Sequence, residues 1–468
     1  MRKSLLDSFG RIYLLNLHGS AREMRGIPEG DENVFDIQQG VAISIFIKKS
    51  GIEDKKICYG ELCCGREEKY SWLDRNTTNT VQWQEIRPEE PYYFFVPKDF
   101  ALKSEYSKFY AIDEIFLIET IGVTTHRDNF VVDFTAAELT QKLDLLRSDA
   151  DPEEIKAKLH LKDTKNWGFK KAREAFKQLD YSKYLFDYAY RPFDTRKICY
   201  TPLLIDRTRE RIMTNMLSDD TRRKRNISLI LPKILLSSPF SVFVTDHIAD
   251  KHLLTVKDDS FHVFPLYLRS KGDNEIFPSN QSEVKTDNVW TPNFTKKFTE
   301  FLQQHYEGNA VTPEQVIGYI YAMLHSPTYR DTYDEFLKID FPRINFVEDY
   351  AVFNSLAEVG MRLINLQLLK TRLKTATSFD EQGSNVVKLV RYEEGKIYIN
   401  KTQFFGGIPQ DAWAFYLGSY QVLDKWLKSR KGRELSSSEI EHFLQIVEII
   451  KKTIEYMKEI DGIHFQSI

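Results

Sequence analysis

The chain has 468 residues, 42% hydrophobic and 28% charged, which excludes wholesale disorder, collagen-like repeats and a disulfide-stapled mini-protein and leaves room for two to four domains. Sixty-five basic against 68 acidic side chains give a formal charge of −3, so any site for a polyanion must be local. No apolar run reaches the roughly 18 residues of a transmembrane helix, and four cysteines (Cys58, Cys63, Cys64, Cys199) suit a reducing cytoplasm better than a disulfide framework.

A short helix is expected over Arg2 to Phe9. Two continuously apolar, β-branched runs follow, Ile12 to Leu17 and Val41 to Ile47, with a polar loop from His18 to Asp36 between them. That pattern predicts strands buried on both faces of a sheet, and the two read as the tail of an α/β domain. Residues 51–130 read as short strands and turns with aromatic clusters at Trp72, Trp83 and Tyr92 to Phe95. Helices are expected over Ala136 to Arg147 and Asp151 to His160, where Pro152 suits a first helical position. Residues 186–270 are mixed, with apolar pieces at Ile227 to Leu236 and Phe240 to Val244. A polar linker spans 271–292, helices dominate to about 375, and Thr312-Pro313-Glu314 opens one of them. After a second linker, Thr375 to Asn385, a hairpin turns at Glu393 to Lys396. Ser436 and Glu439 have capping-box spacing before a long amphipathic helix.

Several constellations bear on chemistry. Cys58, Cys63 and Cys64 lack a nearby fourth ligand with zinc spacing, so buried apolar cysteines are expected. His247 and His252 beside Asp246 and Asp250 fit no standard helical ligand pair and read as a polar loop. Neither a P-loop, a G-x-S-x-G elbow, an H-E-x-x-H helix nor a G-x-G-x-x-G loop occurs. Between Arg191 and Arg225 ten basic residues face five acidic ones, a +5 window against −8 elsewhere. Within it Arg191, Arg207, Arg209 and Arg211 and the run Arg222, Arg223, Lys224, Arg225 suit phosphate contacts and base reading. A solvated face of Arg–Asp pairs explains the same composition. A second patch, Lys425, Lys428, Arg430, Lys431 and Arg433, sits where a helix end would favour cations for its dipole alone.

Particular strings resemble a known family. Ile12-Tyr13-Leu14-Leu15-Asn16-Leu17-His18-Gly19 and Asp31-Glu32-Asn33-Val34-Phe35-Asp36-Ile37-Gln38-Gln39-Gly40-Val41 resemble the last two strands of an adenine-N6 DNA methyltransferase. The likeness is to Type ISP restriction–modification enzymes and related single-chain Type II enzymes. It continues through Gly122-Val123-Thr124-Thr125-His126-Arg127-Asp128, Tyr190-Arg191-Pro192-Phe193-Asp194, Tyr319 to Arg330, Phe336 to Ile344 and Gly418 to Arg430.

The resemblance implies a mixed α+β fold: terminal strands of a Rossmann-like methyltransferase sheet, a mixed α/β target-recognition region and a helical C-terminal part. The expected divisions are 1–50 (methyltransferase remnant), 51–185 (connecting strands and helices), 186–375 (target recognition) and 376–468 (hairpin and helices). The family's complete enzymes use S-adenosylmethionine and extrude the target adenine. Here the Asn-Pro-Pro-Tyr motif and the Gly-rich cofactor loop are absent. The expectation is therefore a chain that recognises double-stranded DNA in the cytoplasm, with no cofactor and no catalytic residue of its own. The alternative is one that completes a methyltransferase in trans with a separately encoded half.

Overall fold

Short β-branched runs punctuated by polar loops build a four-stranded sheet in the first of two units, Met1–Lys103; the second unit is Ser104–Ile468. The structure is a computed structural model, and it describes residues 1–20, 30–49, 55–99, 101–165, 167–217, 226–235, 238–255, 261–269, 290–380 and 382–465. The fold is mixed α+β, with several small sheets and a helical C-terminal part. Among the described residues no helix is long and apolar enough to cross a membrane.

In the first unit helix α1 (Arg2–Ser8) precedes strands β1 (Arg11–Asn16), β2 (Ala42–Ile47) and β3 (Lys56–Glu61), helix α2 (Arg66–Arg75) and strand β4 (Gln84–Ile86). The sheet order is β2-β1-β3-β4, with β1 parallel to β3 and antiparallel to β2. Ile12, Leu15, Leu17, Ile57 and Tyr59 are buried. The expectation of burial on both faces fails for β2, all six of whose residues are exposed. It is an edge strand whose described strand partner is β1 alone, so Ile43, Ile45, Phe46 and Ile47 mark an open surface. Helix α2 stands where strands and turns were expected, and most of its charged side chains lie in solvent.

The exception on α2 is Lys69. It is fully buried, its Nζ donating to the Leu17 carbonyl (2.7 Å), the Asp31 carboxylate (2.6 Å) and the Glu32 carbonyl. Asp31 also accepts from the backbone N–H groups of Gly19 (2.7 Å) and Cys64 (3.1 Å). Asn33 donates to the carbonyls of Gly19, Ile37 and Gln39. The loop after Asp31 is thus tied to β1 from below while Phe35 and Ile37 stay exposed on it. Gly19 is required at this crossing: its φ is +73°, and a Cβ there would lie 2.3 Å from Asn33 Cα.

Among the described residues the second unit contains three four-stranded sheets. One runs Phe243–Thr245, Ser228–Pro232, Phe261–Pro265, Thr120–Ile121, all antiparallel. Another runs Ile248–Ala249, Leu185–Arg191, Asp194–Cys199, Val132–Asp133. Helix Ala136–Arg147 starts on a Thr135–Glu138 capping box, and helix Pro152–Lys158 on Asp151 with proline in its first turn. Helix Pro313–His325 starts on Thr312 and Gln315. It crosses helix Tyr350–Gln367 at Gly318 and Gly360, where a Cβ on Gly360 would lie 1.9 Å from the Gly318 carbonyl oxygen. Ser436 and Glu439 form the expected reciprocal cap of helix Ser437–Phe465, which packs on both of those helices.

The hairpin forms as expected, Arg391–Glu393 pairing Lys396–Tyr398. Its turn residues Glu394 (φ 46°) and Gly395 (φ 80°) have the positive φ that suits a tight two-residue turn. The expected second linker instead contributes an edge strand, Ser378–Phe379, to this sheet, and its Thr377 is bonded to Glu448 on the last helix (2.6 Å). The stretch 271–289 lies outside the described residues; 290–292 form a strand. The four cysteines form no disulfide; Cys199 is buried, while Cys58, Cys63 and Cys64 are only half-buried, short of the burial expected for all of them.

Candidate nucleic-acid interface

The basic window is divided by its hairpin. Arg191 ends strand Leu185–Arg191, Pro192 and Phe193 make the turn, and Phe193 takes a positive φ of 58°. Asp194, opening the next strand, is buried. It accepts from Arg196 (2.8 Å) and from Arg430 (2.9 Å), and Arg430 also bonds Glu439 (3.1 Å) and stacks on Trp426. Burial disfavours the Asp194 charge, yet Arg430 and Arg196 outweigh it and hold the carboxyl below its usual range. The late basic patch therefore splits: Arg430 is internal, Arg433 bonds Glu138 (2.8 Å), and Lys428 pairs with Asp424 one helical turn away.

The other candidates lie in different surroundings. The Arg191 side chain is only 18% exposed, and its guanidinium donates to Asp250 (3.1 Å) and to the Tyr190 carbonyl. Arg207 is 61% exposed and reaches Asp206 at 3.7 Å. Arg209 is half-buried at a positive φ of 59°, before a one-turn helix, Glu210–Met213. Arg211 is exposed on that helix. Arg222, Arg223, Lys224 and Arg225 lie outside the described residues.

The family-like Gly122–Asp128 string lines a cleft of about 550 Å³ together with residues of 159–164 and 250–252. The Gly122–Asp128 segment is stitched on one side to the 249–251 backbone (Val123 N to Ala249 O, 2.8 Å; Lys251 N to Val123 O, 2.9 Å). On the other side it is stitched to Arg207 by two hydrogen bonds (3.1 and 3.0 Å). Gly122 permits the approach, since a Cβ would lie 2.6 Å from the Asp250 carbonyl. Asp128 accepts from Thr125 and from the Tyr190 hydroxyl (3.2 Å). Asp250 accepts from the Tyr188 hydroxyl (2.7 Å), Arg191 and the His252 backbone (2.7 Å).

The supposed polar loop at 247–252 is thus a buried polar network. Burial pushes the Asp250 carboxyl up against the pull of Arg191, and it pushes the Tyr188 hydroxyl well up and the His252 imidazole down. With three donors already on it, Asp250 is placed to orient the walls of the cleft rather than to take a proton. His126, Arg127, His160 and His252 line the cleft; of these only His252 was weighed singly in the sequence, as part of a polar loop. His126 and Arg127 belong to the Gly122–Asp128 string, which is the sequence signal for them.

The chain belongs to the Type ISP C-terminal specificity domain family, whose model matches residues 114–459. Among curated proteins there is no match. Three solved structures are similar across 98% of this chain. A cryoEM structure of a DrdV–DNA complex has a TM-score of 0.74 at 20% identity, over 48% of its own chain. A nuclease-deletion mutant of the Type ISP restriction–modification enzyme LlaGI, in complex with a DNA substrate mimic, has a TM-score of 0.71 at 19% identity, over 44%. The ATP-dependent Type ISP restriction–modification enzyme LlaBIII bound to DNA has a TM-score of 0.75 at 20% identity, over 31%. The chain thus spans less than half the length of each.

Proposed function

We propose that this chain recognises a site on double-stranded DNA as the specificity portion of a restriction–modification enzyme, acting in the cytoplasm where such DNA is met. The match to a specificity domain over residues 114–459 carries the reading, and the three similar structures, each with DNA or a DNA mimic, support it. Arg207, exposed beside the cleft, and Arg211, exposed on the one-turn helix that follows it, are the described arginines best placed for phosphate contacts, with Arg222 to Arg225 further on in the sequence. Arg191, bonded to Asp250, supports the surface that presents them.

Adenine-N6 methylation with S-adenosylmethionine belongs, in this reading, to the complete enzyme. No Asn-Pro-Pro-Tyr occurs in the sequence. The cleft of about 700 Å³ beside Asp31 and Asn33 does not fit the cofactor, because both side chains are already bonded internally. The test is fluorescence anisotropy of the chain with a duplex library across a salt series, beside tritium transfer from labelled S-adenosylmethionine. Binding that weakens steeply with salt, with no methyl transfer, is expected. Undetectable or salt-insensitive binding overturns the first half, and tritium in the DNA overturns the second.

A second reading is favoured by the exposed apolar residues of β2. A strand edge of that kind is a template for another chain, so the chain would complete a methyltransferase with a separately encoded half. Co-purification with such a partner, and activity only on mixing, discriminates the two.

A further inference from the structure

We propose that the cleft between Gly122–Asp128, Leu159–Thr164 and Asp250–His252 is a phosphate-binding site seated on Arg127 and His252. Arg127 is 8% exposed and lines the cleft. Its Nε donates to the Leu204 carbonyl (2.9 Å) and its plane stacks on Trp167 at 4.3 Å, so the guanidinium is held in one orientation. Its Nη2 is buried with no hydrogen-bond partner among the described residues, and so is Nδ1 of His252, another residue of the same cleft. A buried polar nitrogen without a partner is costly and uncommon in a folded protein, and Nδ1 of His252 is a donor in the tautomer that carries its proton there. Two in the lining of one cavity point to a ligand that supplies acceptors.

Charge decides what kind of ligand. The carboxylates of the lining are engaged: Asp250 by Tyr188, Arg191 and the His252 backbone, Asp128 by Thr125 and Tyr190. Asp206, near Arg127, is engaged by His126 (3.4 Å) and Arg207 (3.7 Å). Lys162 and Lys251 add two ammonium groups to the lining. A cation finds no uncommitted carboxylate there. A planar guanidinium fork with further N–H donors around it matches a group with several acceptor oxygens, as phosphate has. The volume, about 550 Å³, is in the range of small-ligand sites.

The phosphate has two possible sources, a backbone phosphodiester of DNA or a free phosphate compound. The experiment uses the whole chain with inorganic phosphate as probe. Thermal unfolding is followed as phosphate is titrated against chloride at equal ionic strength. Wild-type protein should show a saturable rise in Tm that is lost in Arg127→Gln and in His252→Phe. The second variant keeps the ring volume and decides the matter if the first does not fold. A rise that is unsaturable, or equal in wild type and His252→Phe, overturns the proposal.

Duplex DNA in the same buffers identifies the source. If phosphate displaces DNA and His252→Phe weakens DNA binding several-fold, the site takes a phosphodiester. If DNA binding is indifferent while the phosphate response still depends on His252, it takes a free phosphate compound. A chain that binds phosphate in this way but no DNA retains the site and loses the recognition function.

Discussion

Arg430 donates to the carboxylate of Asp194 at 2.9 Å, although 236 positions separate them in the chain. The pair joins the hairpin that carries Arg191 to the region of the last helix, where Glu439 holds the other edge of the same guanidinium. Arg196, Arg430 and Arg433 all pack on Phe134, at 4.0, 4.9 and 4.2 Å from its ring, so cations and carboxylates share one knot around that ring.

Replacing Asp194 by asparagine leaves the buried Arg430 and the half-buried Arg196 facing a neutral amide. Breaking such a pair from one side costs about 3–5 kcal/mol. The Asp194 carboxyl titrates below its usual range in the folded chain, so its contribution is complete above an unfolded pKa of about 4. It is lost as pH falls through the lower folded value. Urea unfolding should therefore show a wild-type advantage over Asp194→Asn that is constant from neutral pH down to about 4 and narrows below it.

Arg207→Gln and Arg211→Gln remove exposed cations and should leave the fold intact. Each should weaken duplex binding across all sequences and reduce the salt slope by about one. Arg191→Gln should behave differently, because it strands Asp250 in the interior. Its main effect is expected in thermal stability, with the salt slope of the surviving folded protein unchanged. Anisotropy across a salt series and differential scanning calorimetry on the same samples separate the two outcomes.

Lys69→Met removes the buried cation of the first unit's loop anchor and leaves Asp31, among the described residues, with backbone donors only. A loss of about 3–5 kcal/mol is expected. Hydrogen exchange should speed up in residues 31–39 before it does in β1 or β3.

Gly360→Ala places a methyl group against the Gly318 carbonyl. The helices Pro313–His325 and Tyr350–Gln367 must then move apart, at a cost of about 1–3 kcal/mol or more. Gly318→Ala meets the Ala357 carbonyl at 2.4 Å and should cost a similar amount. The double variant should be no better than the worse single one in denaturant unfolding, since each methyl meets backbone.

The features readable in the sequence were those whose partners lie close along it. Thr135 with Glu138, Thr312 with Gln315 and Ser436 with Glu439 are local pairs, and each opens a helix where its spacing says it should. The strings that identify the family were equally readable, because they are strings. Strand β2 was misjudged because an unbroken apolar run looks the same on an open edge as inside a sheet. The cleft is not legible in the sequence because Asp250 acquires its meaning from burial beside residues 59 and 62 positions earlier. Among the basic residues, composition could not separate Arg207, in solvent, from Arg191, whose charge is spent on an internal carboxylate.

The distance between Asp194 and Arg430 also sets a timetable. At the roughly 5–20 residues per second of protein synthesis, Asp194 leaves the ribosome about 10–50 s before its arginine partner is made. During that interval the hairpin has a carboxylate and a turn but not the helix that closes over them. The knot around Phe134 can therefore be tied only after the bulk of the domain has been translated, and the early strands wait for it as a nascent chain.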